Sequence, residues 1–124
     1  MSASKYNGST LAFVGDAVYG LMVRERLIEP EKPLGELHKS SVKYVNANAQ
    51  SEALNLIKDI LTEEEISIFR RGRNSKAQNI PKNSKVGDYH KATGLETLFG
   101  FLYLEGRKER LEELFNIIWK NTNK

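Results

Sequence analysis

The chain has 124 residues, no cysteine, 28% charged and 40% hydrophobic residues, and a formal net charge of +3. That length suits one domain with a real core, and the composition excludes a disordered chain, a disulfide framework and a thiolate metal site. No apolar run reaches the roughly 18 residues of a membrane span, and the opening MSASKYNGST has no signal-peptide core, so a cytoplasmic protein without a membrane partner is expected.

The first helix is expected from about Thr10 to Leu27, with Ser9 or Thr10 as N-cap. It contains LAFVGDAVYGLMV, Leu11 to Val23, apolar, aromatic or glycine at every position but Asp16. Pro30 and Pro33 break the chain after it. A second helical region is expected from about Leu34 to Leu61. Val42, Val45, Ala49, Ala53, Leu56, Ile57 and Ile60 recur there at spacings of three and four, as one buried face. Thr62 to Glu65 fits a capping box ahead of a short helix, with Gly72 as its C-terminal stop.

Arg73 to Tyr89, RNSKAQNIPKNSKVGDY, is polar and lacks apolar periodicity. A structureless connection of that length is uncommon in a compact domain. Helix resumes near His90 with ATGLETLFGFLYLEG, again nearly all apolar, with one acid, Glu96, inside it. The last helix puts Leu111, Leu114, Phe115 and Ile118 on one stripe, with a charged outer face; Trp119 reads as packing. No segment alternates as a strand does, so the fold class is all-α, a helical bundle. Residues 1–124 form one domain, with flexible ends over about 1–8 and 121–124 and a basic loop over about 72–90.

Charge is unevenly placed. Arg70, Arg71, Arg73, Lys76, Lys82, Lys85 and Lys91 face only Asp88 within their segment, which carries +6 against −3 for the rest. Such a segment implies an anionic partner.

Asp16 and Glu96 each stand alone in an apolar helix, with no lysine or arginine within a turn. Burying an unpaired carboxylate costs several kcal/mol. Each therefore pairs with a distant cation (Arg24, His38 or Lys91), caps a neighbouring helix, or converges with the other on a hard divalent cation such as Mg²⁺. Gly15, Gly94 and Gly100 mark close approach of a helix, an ion or a ligand. A two-carboxylate Mg²⁺ site beside a basic segment points to phosphodiester chemistry, with the ion activating water and offsetting phosphoryl charge. One aromatic, Tyr89, in that segment is too few for a single-strand stacking platform, which favours a duplex held by its backbone. Asn48 and Glu52 are candidates for a water-mediated shell around the ion. His38 and His90 read as structural or surface residues.

LAFVGDAVYGLMVRERL resembles the signature helix of the ribonuclease III superfamily, and ATGLETLFGFLYLEG its second acidic helix. FRRGRNSKAQNIPKN and ELHKSSVKYVNANAQSEAL resemble segments of the smaller branch, Mini-ribonuclease III, in which no double-stranded-RNA-binding domain follows. The four segments stand in the family's order from about Leu11 to Glu105. The resemblance implies that Asp16 and Glu96 are the catalytic, metal-holding pair, with Mg²⁺ as cofactor and Mn²⁺ as a substitute. Larger relatives carry further acids where this chain has Ala12 and Thr93, so few protein ligands are expected. The resemblance also implies a homodimer joined through the signature helix at Phe13, Val14, Val18, Leu21 and Met22. Its partner would be double-stranded RNA bound by Arg70, Arg71, Arg73, Asn74, Lys76, Lys82 and Lys85. The implied substrate is precursor 23S ribosomal RNA, trimmed at its 5′ and 3′ ends in ribosome biogenesis, with a ribosomal protein as a candidate for presenting it. Ala12 and Thr93 also motivate the alternative of a non-catalytic RNA-binding dimer, and a helical scaffold with an acidic protein partner stands behind both.

Overall fold

The computed structural model describes residues 2–75 and 85–123. Among these the fold is all-α: α1 (Gly8–Leu27), α2 (Leu34–Val45), α3 (Ala47–Ile57), α4 (Glu63–Arg73), α5 (Val86–Leu104) and α6 (Lys108–Thr122), with 3₁₀ turns at Ala3–Lys5 and Lys58–Ile60. None of these helices is long and apolar enough to cross a membrane.

α5 runs through the centre, touched by α1, α3, α4 and α6, and α1 packs along it most extensively. That explains why both helices are apolar nearly all round. Leu95, Leu98, Phe99, Phe101 and Leu102 of α5 meet Leu11, Tyr19 and Val23 of α1, Ile57 of α3, Ile68 of α4, and Leu114 and Phe115 of α6 in one core. The predicted α6 stripe is buried throughout. Trp119 packs as expected, against the Phe115 and Tyr44 rings.

α1 and α5 cross at glycines. A methyl group at Gly15 would run into the Glu96 carbonyl, and one at Gly100 into the Leu11 carbonyl. Backbone meets backbone here, so only glycine fits. The Gly94 position is filled by the Phe69 ring. The glycines around the two acids therefore serve helix contact rather than an ion.

Several expectations on element boundaries need correction. α1 is capped by Asn7, whose side chain accepts from Thr10 N at 2.8 Å, not by Ser9 or Thr10. The second helical region is two helices, because Asn46 leaves helical geometry and its side chain accepts from Ala49 N at 2.8 Å, starting a new helix. The buried stripe of α3 is then Gln50, Ala53, Leu54 and Ile57, while Val42, Leu56 and Ile60 are exposed. Gly72 does not stop α4, which runs on to Arg73 with Asn74 as C-cap; Gly72 is buried where Thr97 of α5 packs on it. α5 starts at Val86, four residues before the expected point, so Val86 to Tyr89 are helical rather than loop. The segment before α1 is tied down: Ala3 N donates to Glu105 at 2.7 Å, and Arg71 donates to the Ser4 and Tyr6 carbonyls at 2.7 and 3.0 Å. α5 ends on a Schellman turn through Gly106, at φ 74°, with Arg107 N donating to the Leu102 carbonyl.

The predicted capping box is present: Glu65 N donates to Thr62 Oγ1 at 3.1 Å, and Thr62 N donates to Glu65 Oε1 at 2.9 Å. Glu65 is nearly fully buried and held by both arms of the Arg110 guanidinium at 2.8 Å. Burial alone would raise the Glu65 carboxyl, but the Arg110 and Thr62 donors outweigh it and hold it below its ordinary value. Arg110→Met strands this carboxylate, so a loss of about 3 kcal/mol is expected. Because the folded carboxyl is depressed, the contribution of the pair is complete above about pH 4.5 and fades as pH falls through the lower folded value. Thermal unfolding of both proteins at pH 7 and pH 3 checks this. An equal gap at the two pH values would contradict it.

Candidate active site

Asp16 on α1 and Glu96 on α5 are brought together by the glycine crossing. They line one open cleft with Ser9, Ala12, Phe13, Ser75, Tyr89 and Thr93. The two acids are not buried alike. Asp16 is exposed and Glu96 is half-buried, which corrects the expectation of two buried carboxylates. The outer face of α1 at Asp16 is covered by no other part of the described chain, so its apolar character there is not core.

Burial, then the adjacent Asp16 charge, push the Glu96 carboxyl up to about 8, with the Gln50 amide opposing the shift. At neutral pH the pair thus shares too few counter-charges. None of the three cations considered for pairing, Arg24, His38 and Lys91, contributes to that balance. Burial and then the Glu96 charge also push the Tyr19 phenol above its ordinary range.

The pair fits a hard divalent cation. It offers carboxylate oxygens from two helices, in a cleft open to water, with an unrelieved repulsion that a cation would remove. Among the described residues no cluster of three or more His, Cys, Asp or Glu exists, so water and substrate oxygens would complete the ligand set.

The basic residues sit at the end of α4 and the start of α5. Arg70, Asn74 and Lys85 are exposed. Arg73 lies over the Phe69 ring at 5.8 Å and its Nε donates to Asn74 Oδ1 at 3.1 Å. Arg73, Asn74, Gly87, His90 and Lys91 line a hollow whose chain neighbours, Ser75 and Tyr89, belong to the carboxylate cleft. Arg71 is drawn away by its two bonds to the N-terminal segment. Lys76 and Lys82 lie outside the described residues.

Of the five apolar residues assigned to a dimer contact, Val18 and Met22 are buried within the single chain and Val14 partly so. Phe13 and Leu21 are 80% and 57% exposed, on the rim of a groove between α1 and the α5–α6 corner. Asn48 and Glu52 are exposed on α3. The α3 side chain that acts on Glu96 is instead Gln50, 1% exposed and behind the cleft. Its signal in the sequence is its register, three, four and seven residues before Ala53, Leu54 and Ile57.

A family profile described as a Ribonuclease III domain matches residues 9–107. A Mini-ribonuclease 3 from Thermoanaerobacter sp. is 48% identical over 108 residues, covering 86% of this chain and 76% of the relative. Mini-ribonuclease 3 from Enterococcus faecalis is 45% identical over 114 residues, covering 89% and 86%. A crystal structure of a Fusobacterium nucleatum protein superposes with a TM-score of 0.86 at 33% identity, covering 94% of each chain.

Proposed function

The chain belongs to the Mini-ribonuclease III branch of the ribonuclease III family, endoribonucleases of double-stranded RNA, and from that premise we propose that Asp16 and Glu96 are its catalytic pair, holding Mg²⁺, with Mn²⁺ as a substitute. The observation that carries this reading is their convergence, from two separate helices, in one open cleft beside the basic end of α4. The whole of 1–124 is read as one catalytic domain acting in the cytoplasm.

A divalent cation bound there supplies an activated water at neutral pH and offsets charge on the phosphoryl oxygens. The protein does the rest. Asp16 and Glu96 face the cleft as acceptors and fix where the cleaved phosphodiester sits. Ala12 and Thr93 keep the space between them small and open. Arg70, Arg73, Asn74 and Lys85, with Lys76 and Lys82, hold phosphates of the duplex and set its register without reading bases. Arg71 contributes less, since its donors are engaged.

The partner is a second copy of the chain. The exposed Phe13 and Leu21 on the signature helix support this, because exposed large apolar side chains along one groove mark an interface. Two copies put two clefts on one duplex, one for each strand. Leu21→Glu is expected to give a monomer by sedimentation that folds but nicks duplex RNA far more slowly. A Leu21→Glu protein that remains a dimer would remove this face from the interface.

The substrate in this reading is precursor 23S ribosomal RNA, cut near both ends, with a ribosomal protein presenting it. Duplexes carrying the paired ends of that precursor should be cut in preference to unrelated duplexes of equal length. Equal rates would leave the activity and remove the substrate. The alternative, a non-catalytic clamp on duplex RNA, is favoured only by the low ligand count at Ala12 and Thr93. Binding without any Mg²⁺-dependent cut would establish it.

A further inference from the structure

Gln50 is a fully buried polar side chain whose place the packing of α3 does not explain. It occupies the apolar register of α3, and an aliphatic side chain would continue the stripe of Ala53, Leu54 and Ile57 that packs toward α5. At 1% exposure its Nε2 is shut off from solvent and completes no full hydrogen bond among the described residues. A buried amide donor left without an acceptor costs stability, so its retention asks for an acceptor in some state of the protein. Its charged neighbour on α5 is Glu96, whose ionised form the Gln50 amide favours. Asp16 and Gln50 are the side chains that act on Glu96, and Asp16 repels it, which leaves Gln50 to orient it.

We propose that Gln50 is a positioning residue: its Nε2 donates to the ionised Glu96 carboxylate from the α3 side, and so fixes the oxygen that Glu96 turns toward the cleft. It acts through Glu96 and touches no substrate. Partners of this kind, which orient a metal-holding carboxylate, cost about 10–100-fold in affinity or activity when lost. The inference rests on reading Asp16 and Glu96 as the cation-holding pair.

The test is Gln50→Met in the full chain, which keeps the length and removes the amide. Thermal unfolding is followed against Mg²⁺ concentration without RNA, and cleavage of duplex RNA against the same concentrations. Expected are an unfolding temperature without Mg²⁺ at or above that of the unaltered protein, and a half-effective Mg²⁺ concentration about 10–100-fold higher in both assays. Duplex binding in EDTA should not change. The same Mg²⁺ dependence in both proteins overturns the proposal and makes Gln50 a space-filler. Should Gln50→Met fail to fold, the side-chain amide resonances of Gln50 in the unaltered protein decide. They must shift on adding Mg²⁺, and must not shift in Glu96→Gln; resonances that stay put in the unaltered protein overturn the proposal. An unaltered protein that neither cuts nor responds to Mg²⁺ defeats the reading of the acidic pair, and Gln50 with it. A normal Mg²⁺ response that ignores Gln50 defeats this inference alone.

Discussion

Asp16→Asn is expected to abolish cleavage of duplex RNA while the protein still folds and binds the duplex. The substitution keeps the side chain's size and removes half the carboxylate charge of a site that has only two acids. Loss of a group that merely orients a metal-holding side chain costs about 10–100-fold; loss of one of two holding groups must cost more. Stability moves the other way. Glu96 is held up near 8 by burial and then by the Asp16 charge, so removing that charge lets Glu96 ionise more easily. In the metal-free protein a raised carboxyl favours the fold at low pH. Stability then falls as pH rises from about 4.5, where the unfolded chain gives up the proton, to about 8, where the folded chain does. Asp16→Asn should flatten that decline, so its unfolding temperature in EDTA at pH 8 equals or exceeds that of the unaltered protein. Cleavage at the unaltered rate would defeat the catalytic assignment. Lost cleavage with a collapsed unfolding temperature would mean that Asp16 holds the fold rather than the reaction.

What could be read in advance follows from what periodicity records. The α6 stripe and the Thr62–Glu65 box were legible because each is local: one helix face and one turn. α1 and α5 were legible as helices, but their near-uniform apolarity hid which faces are core and which are bare. Only the packing of α5 at the centre separates Leu11 and Tyr19, which face it, from Phe13 and Leu21, which do not. For the same reason Asp16 reads as buried from its neighbours in sequence and is exposed in space. The break at Asn46 is hidden in the sequence because the apolar spacing runs through it while the cap is a single side-chain bond. One unbroken helix would put Ala49 rather than Gln50 on the buried stripe, which hides the amide beside Glu96. Gly72 illustrates the remaining difficulty: a glycine that ends a helix and one that admits a neighbouring helix look alike until Thr97 is in place.

The second large effect is expected at Gly15, which sets the distance between the two acids. In most helices Gly→Ala stabilises by up to about 1 kcal/mol. Gly35, where an added methyl meets nothing within 4 Å, should behave that way. At Gly15 the methyl would strike the Glu96 carbonyl carbon at 2.5 Å and the Gly100 amide nitrogen at 2.9 Å. These are backbone atoms of α5, unable to turn aside, so the two helices must part. Forcing extra volume into a packed contact costs about 1–3 kcal/mol and occasionally more, and a backbone-on-backbone clash belongs at the upper end. The sign is therefore opposite to that at Gly35. The displaced group is Glu96 itself, and Asp16 is the next residue to Gly15, so parting the helices moves both acids at once. A displacement near 1 Å at reacting groups costs about 10²-fold in rate. Gly15→Ala should thus unfold at a clearly lower temperature and, where still folded, cut duplex RNA about 10²-fold more slowly, with duplex binding little changed. Gly35→Ala, measured alongside, should unfold slightly higher and cut normally. Equal unfolding temperatures and equal rates for the two variants would mean that α1 and α5 do not cross at Gly15, and that the spacing of Asp16 and Glu96 is set elsewhere.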